Sequence, residues 1–171
     1  MSPTAHFIRV CAIAAAACFV ALAVTSKLWI EPDGMVVFDS RLTGYSDADA
    51  RLFLETITQA QTQTYLGLFR WLDTVFPILL TISLIGTIWL NTAGERPVMR
   101  GLALLGPAAY LAMDLSENAL VARVLLQRWD TVSDAMILRA STYTQAKWMC
   151  LALSVLVVFW AWKFATKERV V

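Results

Sequence analysis

The sequence predicts an all-α protein, an integral membrane bundle of four helices with an amphipathic helix before the second span, and three observations carry that prediction. Apolar residues make up 58% of the 171 and charged residues 16%, with mean hydropathy +0.62, whereas soluble domains are about 45–50% apolar and about 25% charged. Four segments reach the length of about 20 largely apolar residues that a bilayer crossing needs: 8–30, 68–90, 101–126 and 148–164. The charges between them are sorted by loop. Residues 1–171 therefore read as one membrane domain, with a long first loop at 31–67.

Arg9 precedes the first span, Glu95, Arg96 and Arg100 occupy the short second loop, and Lys163, Lys167 and Arg169 close the chain. The first loop holds six acids (Glu31, Asp33, Asp39, Asp47, Asp49, Glu55) against Arg41 and Arg51. The positive-inside rule then places both termini and the second loop in the cytoplasm. Loops one and three face outward, into the periplasm of a bacterium, and the expected location is the inner membrane.

Each element has its own warrant. The first span is rich in alanine, and with Arg9 and Ala21-Leu22-Ala23 it resembles a cleavable signal peptide; residues 8–30 are read as a helix. In the first loop Pro32, Gly34 and Gly44 break the stretch 31–45. Ser46 then offers an N-cap with Asp47 and Asp49 in the first turn. Leu52, Phe53, Ile57, Ala60 and Tyr65 recur at helical spacing, so one amphipathic helix is expected to run straight into the second span. In that span Pro77 lies four residues after Asp73 and frees the Asp73 carbonyl, because proline has no N–H to donate. Gly106-Pro107 makes a comparable weak point in the third span. Ser133-Asp134-Ala135 in the third loop repeats Ser46-Asp47-Ala48, a match that fits a duplicated hairpin or two independent helix starts.

The third span carries the least expected residues, Asp114-Leu115-Ser116-Glu117-Asn118. An ionisable group at the centre of a span costs roughly 2.5 kcal/mol or more on insertion scales. Asp114, Glu117 and Asn118 stand at i, i+3 and i+4, on one helix face with Tyr110 a turn earlier. That face is expected to point into the bundle. A rise of about 1.5 Å per residue puts Glu117 and Asn118 roughly 12–14 Å below the outer boundary, Asp114 about 18 Å, Arg123 about 5 Å and Asp73 about 8 Å. Arg70, Lys27 and Lys147 fall near the same level, so the polar groups converge on the outer half.

Leu72-Asp73-Thr74-Val75-Phe76-Pro77, Asp114-Leu115-Ser116-Glu117-Asn118 and Ala146-Lys147-Trp148 together resemble a pattern in a group of uncharacterised bacterial four-helix membrane proteins. The resemblance covers most of the chain from Tyr45 onward. It implies the topology and a site at these motifs, and no activity.

Four accounts of the site stand open. In the first, Asp73, Glu117 and Asn118 pair with Arg70, Arg123 and Lys147 and only fasten helices together. The second is an outer-half cavity for a lipid-like or small amphiphilic molecule, lined by Asp73, Tyr110, Asp114, Glu117 and Asn118 with Arg70, Arg123 and Lys147 at its rim. Trp71 and Trp148 are read as interface anchors rather than walls. The third is acid/base chemistry such as isomerisation, with Asp114 and Glu117 as catalytic groups, in a layout, though not a motif, that resembles the sterol isomerase and sigma-2 receptor group. The fourth is an oxygen-ligand metal site at Asp73, Asp114 and Glu117. Binding of the amphiphile is the expectation, with no metal and no cofactor; a non-catalytic accessory subunit of a larger complex, or a homo-oligomer, is the alternative.

Other classes lose support. Cys11, Cys18 and Cys150 form no C-x-x-C pair, and His6 is the only histidine, which leaves haem, zinc and copper poorly served. No phosphate-cradling loop or nucleophile elbow is present. Nucleic-acid binding has no basic patch to rest on.

Overall fold

The computed structural model describes residues 2–168 except residue 33; Asp33, Arg169 and the side chain of Lys167, all used in the charge reading above, lie outside what is described. The described residues form helices and no strands. Four continuous helical stretches are long and apolar enough to cross a membrane: Pro3–Ile30, Gln59–Asn91, Pro97–Leu125 and Asp134–Lys163.

Helix α1 (Pro3–Thr25) starts where Ser2 Oγ accepts the Ala5 amide at 3.3 Å, with Pro3 in the first turn where its missing N–H is harmless. It ends in one π turn at Ser26–Ile30. After a short 3-10 turn at Phe38–Ser40 comes α2 (Asp47–Thr56), opened by a capping box between Ser46 and Asp49.

The single amphipathic helix expected from Ser46 into the second span does not form. Ile57 is extended and Thr58 opens a second capping box with Gln61, so α3 (Gln59–Thr64) is a new helix. The cause is local: Thr58-x-x-Gln61 satisfies two backbone donors reciprocally, which favours a fresh start over a continuous helix. From α3 the chain passes through a π turn at Tyr65–Phe69 into α4 (Arg70–Asn91).

The third stretch is interrupted as Gly106-Pro107 foretold. Helix α5 (Pro97–Ala103) stops at Leu104 and α6 (Leu105–Leu125) follows, because Pro107 cannot donate to the Ala103 carbonyl. Helix α7 (Asp134–Glu168) is unbroken. At about 1.5 Å per residue it is about 50 Å long, well beyond the ~30 Å hydrocarbon core, and its N-terminal turns become a platform for the first loop.

Packing pairs α1 with α4 and α6 with α7, and α4 bridges to both α6 and α7. At one end of the α1–α4 pair Ile8 nests against Gly86, where a Cβ would stand 2.6 Å from Ile8; at the other, the Phe19 and Phe76 rings lie 5.7 Å apart. Among the described residues α1 has no comparably extensive packing with α6 or α7.

The first loop is stitched to α7 along one face. Ser141 donates to the Tyr45 carbonyl at 2.9 Å and accepts the Tyr45 amide at 2.8 Å, Gln145 donates to the Thr43 carbonyl at 2.9 Å, and Trp148 donates to the Asp39 carbonyl at 3.2 Å. Gly44 makes the approach possible: its φ is +77°, and a Cβ there would meet Gln145 at 2.3 Å. Below the loop Phe38, Phe53, Tyr65 and Phe69 pack as a core in tilted and edge-to-face pairs. Arg51 clasps loops one and three, reaching Asp47 at 2.8 Å, Asp134 at 2.5 Å and the Trp129 carbonyl at 2.6 Å.

Burial is inverted relative to a soluble protein. Ile13, Val20, Leu68, Trp71, Leu156 and Phe159 are exposed, whereas Asp39, Asp73, Asp114, Glu117 and Lys147 are buried. Exposed apolar area on this scale marks a surface with a partner or a lipid solvent.

Candidate functional site

The inward face of α6 is the one helical spacing selects. Tyr110, Asp114, Glu117 and Asn118 are all buried, and Leu115 on the far side is exposed. Tilt and rotation of α7 then bring Lys147 into their midst, 4% exposed. Its ammonium lies 2.5 Å from Glu117, 3.3 Å from Asp114 and 3.8 Å from Asp39. Thr144, one turn before Lys147, donates to Glu117, and its oxygen also lies 3.1 Å from the Ala140 carbonyl. Glu117 is thus fully enclosed between Thr144 and Lys147.

Asp39 was counted in the sequence as one more acid of a water-facing loop. It is instead 5% exposed, because docking on α7 carries the loop over the bundle and turns this carboxyl inward. Tyr65 donates to Asp39 at 2.5 Å while its oxygen accepts the Phe38 amide at 3.1 Å. The signal was present: Met35-Val36-Val37-Phe38 is an apolar run beside Asp39 in an otherwise polar loop, and such a run needs cover. Just outside the spans, burial pushes the Tyr45 phenol well above its ordinary value, and the charge of Asp39 adds to the effect.

Asn118 has a backbone task. Its amide donates at 3.0 Å to the Asp73 carbonyl, the oxygen freed by Pro77. An unpaired carbonyl inside a bilayer would cost several kcal/mol, and α6 supplies the missing donor. The Asp73 side chain itself is 5% exposed, makes no ion pair among the described residues, and leaves Oδ2 without a hydrogen bond.

A cavity of about 290 Å³ opens beside this cluster. Phe19, Leu22 and Ala23 of α1 and Phe69 and Phe76 near the start of α4 form its apolar walls; Asp39, Asp73, Tyr110, Asp114 and Lys147 form its polar floor. Val36, Ser40 and Leu42 of the first loop cover it. At its edge Lys27 pairs with Glu31 at 2.5 Å, and Ser26 donates to the same carboxylate at 2.7 Å. The π turns at Ser26–Ile30 and Tyr65–Phe69 both abut this space, as such insertions often do at functional sites.

The predicted residues separate into groups. Asp73, Tyr110, Asp114 and Lys147 meet at the cavity. Glu117 lies behind Lys147 and does not line it, and Asn118 is engaged by α4. Arg70 and Arg123 are exposed and pair with none of the site's carboxyls among the described residues; Arg70 instead lines a small crevice with Asn118 and Ala122 of α6. Trp148, read as an interface anchor, is a cavity wall held by Asp39, whereas Trp71 is exposed. Among the described residues no three His, Cys, Asp or Glu side chains converge as a metal site needs.

The arrangement holds four buried carboxyls around one ammonium, next to a pocket that is apolar on one side. Chemically it can bind a polar head by charge and hydrogen bonds, and Asp73, Asp114 and Tyr110 present acidic protons or their acceptors to whatever enters. Comparison with protein-family models, with curated proteins and with solved structures finds no match.

Proposed function

We propose that this protein binds, and modifies or moves, a lipid-like or small amphiphilic molecule in the cavity between α1, α4, α6 and α7. The observation that carries the reading is a buried polar floor facing apolar walls, in a volume near the lower end of the ~300–1,000 Å³ usual for small-molecule sites. A second feature gives it a route. Among the described residues helix α1 packs most heavily on α4, so the side of the cavity between α1 and α7 is the natural path for a chain from the bilayer. Six acids in the first loop and the basic second loop support cytoplasmic termini and a cavity in the outer leaflet of a bacterial inner membrane. Asp73 and Asp114 are the groups placed for proton transfer to a bound molecule; Glu117 acts on them through Lys147.

The test is extraction in a mild detergent followed by native mass spectrometry. A lipid retained by the wild type and lost in Ala23→Trp, which fills the cavity from α1, is the expected result. Spectra showing only bare chain would sink the proposal. The alternative, an accessory subunit, is favoured by the free apolar face of α1, where Phe7, Val10 and Ile13 are exposed; its mark would be a stoichiometric protein partner retained with no lipid.

A further inference from the structure

We infer that the molecule taken by this cavity carries a cationic amine head, and that Asp73 is its anchor; the inference rests on the cavity being a binding site. Three carboxyls, Asp39, Asp73 and Asp114, line the space against one ammonium, Lys147. That ammonium is already within 4 Å of Asp39, Asp114 and Glu117. The other cation at the edge, Lys27, is matched by Glu31. An anionic head group therefore finds no uncommitted cation among the described lining residues, and a cationic one finds more carboxyls than ammoniums.

Asp73 singles itself out among the three. Asp114 is ion-paired to Lys147, and Asp39 accepts from Tyr65 and faces Lys147. Asp73 lines the cavity, is 5% exposed, and has an oxygen with no hydrogen bond; Asp39 Oδ1 shares that lack but faces Lys147 at 3.8 Å, whereas Asp73 has no ion pair among the described residues. A buried carboxylate oxygen without a partner is costly, and a protonated amine supplies both the charge and the donors it lacks. Metal ions fit less well, because the described carboxyls do not converge as three ligands.

Size and shape complete the class. About 290 Å³ holds about ten water-sized groups at ~30 Å³ each, enough for an amine head and the first part of a chain. Phe19, Leu22 and Phe76 meet that chain, and its remainder passes along α1 to the lipid. The structure thus assigns the site to single-chain amphiphilic amines.

The experiment compares dodecylamine with dodecanol at neutral pH, titrated calorimetrically into the full chain in a non-ionic maltoside detergent. Dodecylamine is expected to saturate at one per chain, at least tenfold tighter than dodecanol, and Asp73→Asn to remove that advantage. Equal affinity for the two probes, or an amine affinity indifferent to Asp73→Asn, overturns the amine assignment and leaves the cavity reading standing. Failure of both probes to saturate overturns the cavity reading as well. Ala23→Trp, which removes no charge, serves where Asp73→Asn does not fold: loss of amine binding in it supports the site, and retained binding places the amine elsewhere and refutes the inference.

Discussion

The hydrogen bond from Asn118 to the Asp73 carbonyl can be isolated by experiment, because its reason for existing can be removed separately. Pro77 denies that carbonyl its helical partner, and Asn118 Nδ2 replaces it at 3.0 Å across the α4–α6 contact. In Asn118→Leu, a side chain of similar size without a donor, the bond is lost and a buried carbonyl is orphaned. The orphan penalty is about 1–3 kcal/mol, on top of an interhelical bond averaging about 0.6 kcal/mol in membranes. In Pro77→Ala the residue 77 amide regains its N–H and satisfies the carbonyl from within α4. Asn118→Leu in that background should therefore cost only about 0.6 kcal/mol, leaving a coupling of about 1–3 kcal/mol between the two positions. The assay is a four-member double-mutant cycle of equilibrium unfolding in mixed micelles, followed by helical circular dichroism. Any cavity left by Pro77→Ala cancels in the cycle. Equal losses for Asn118→Leu in both backgrounds, within about 0.3 kcal/mol, would refute the argument.

Further outcomes are expected. Lys147→Met leaves Glu117, fully buried, and Asp114 without a cation; the same unfolding assay should show a loss of about 3–5 kcal/mol, whereas Lys27→Ala, whose side chain is 65% exposed and whose buried partner Glu31 keeps the Ser26 donor, should cost less. Gly44→Ala forces an L side chain into φ +77° against Gln145, a strain of about 1–2 kcal/mol, and should speed hydrogen exchange in residues 35–45; unchanged exchange would mean the loop does not depend on that approach. At the α2 cap the Ser46 hydroxyl, and then its amide, holds the Asp49 carboxyl below the usual range. A depressed folded value means that this contribution is present above the unfolded pKa of about 3.9 and is lost as pH falls through the folded value. Ser46→Ala should raise the Asp49 midpoint in a carboxyl NMR titration and lower stability by about 1 kcal/mol; a midpoint that stays put would detach the shift from the cap.

The residues that sequence reading placed well are those governed by local rules. Hydropathy marks four stretches because a bilayer demands length and apolarity together. Helical period puts Tyr110, Asp114, Glu117 and Asn118 on one buried face, since spacing of three and four is a property of any α-helix. Proline geometry names the Asp73 carbonyl as the freed oxygen, and Asn118 duly meets it. The break at Ile57–Thr58 was legible as well, in the second capping box that hydrophobic period alone passes over.

Tertiary structure decided the rest, for reasons no window of sequence contains. How far a helix is rotated about its axis depends on what packs against it, so Lys147 turns inward to three carboxyls while Arg70 and Arg123 stay exposed. The path of an irregular loop depends on distant anchors, here Ser141, Gln145 and Trp148 about a hundred residues further along the chain, as separations of 96 to 109 require. Those anchors carry Asp39 from a loop into the site and make Trp148 a wall. The sequence by itself determined that α6 presents a polar face to the bundle; only the fold determined which groups of the other elements that face would meet.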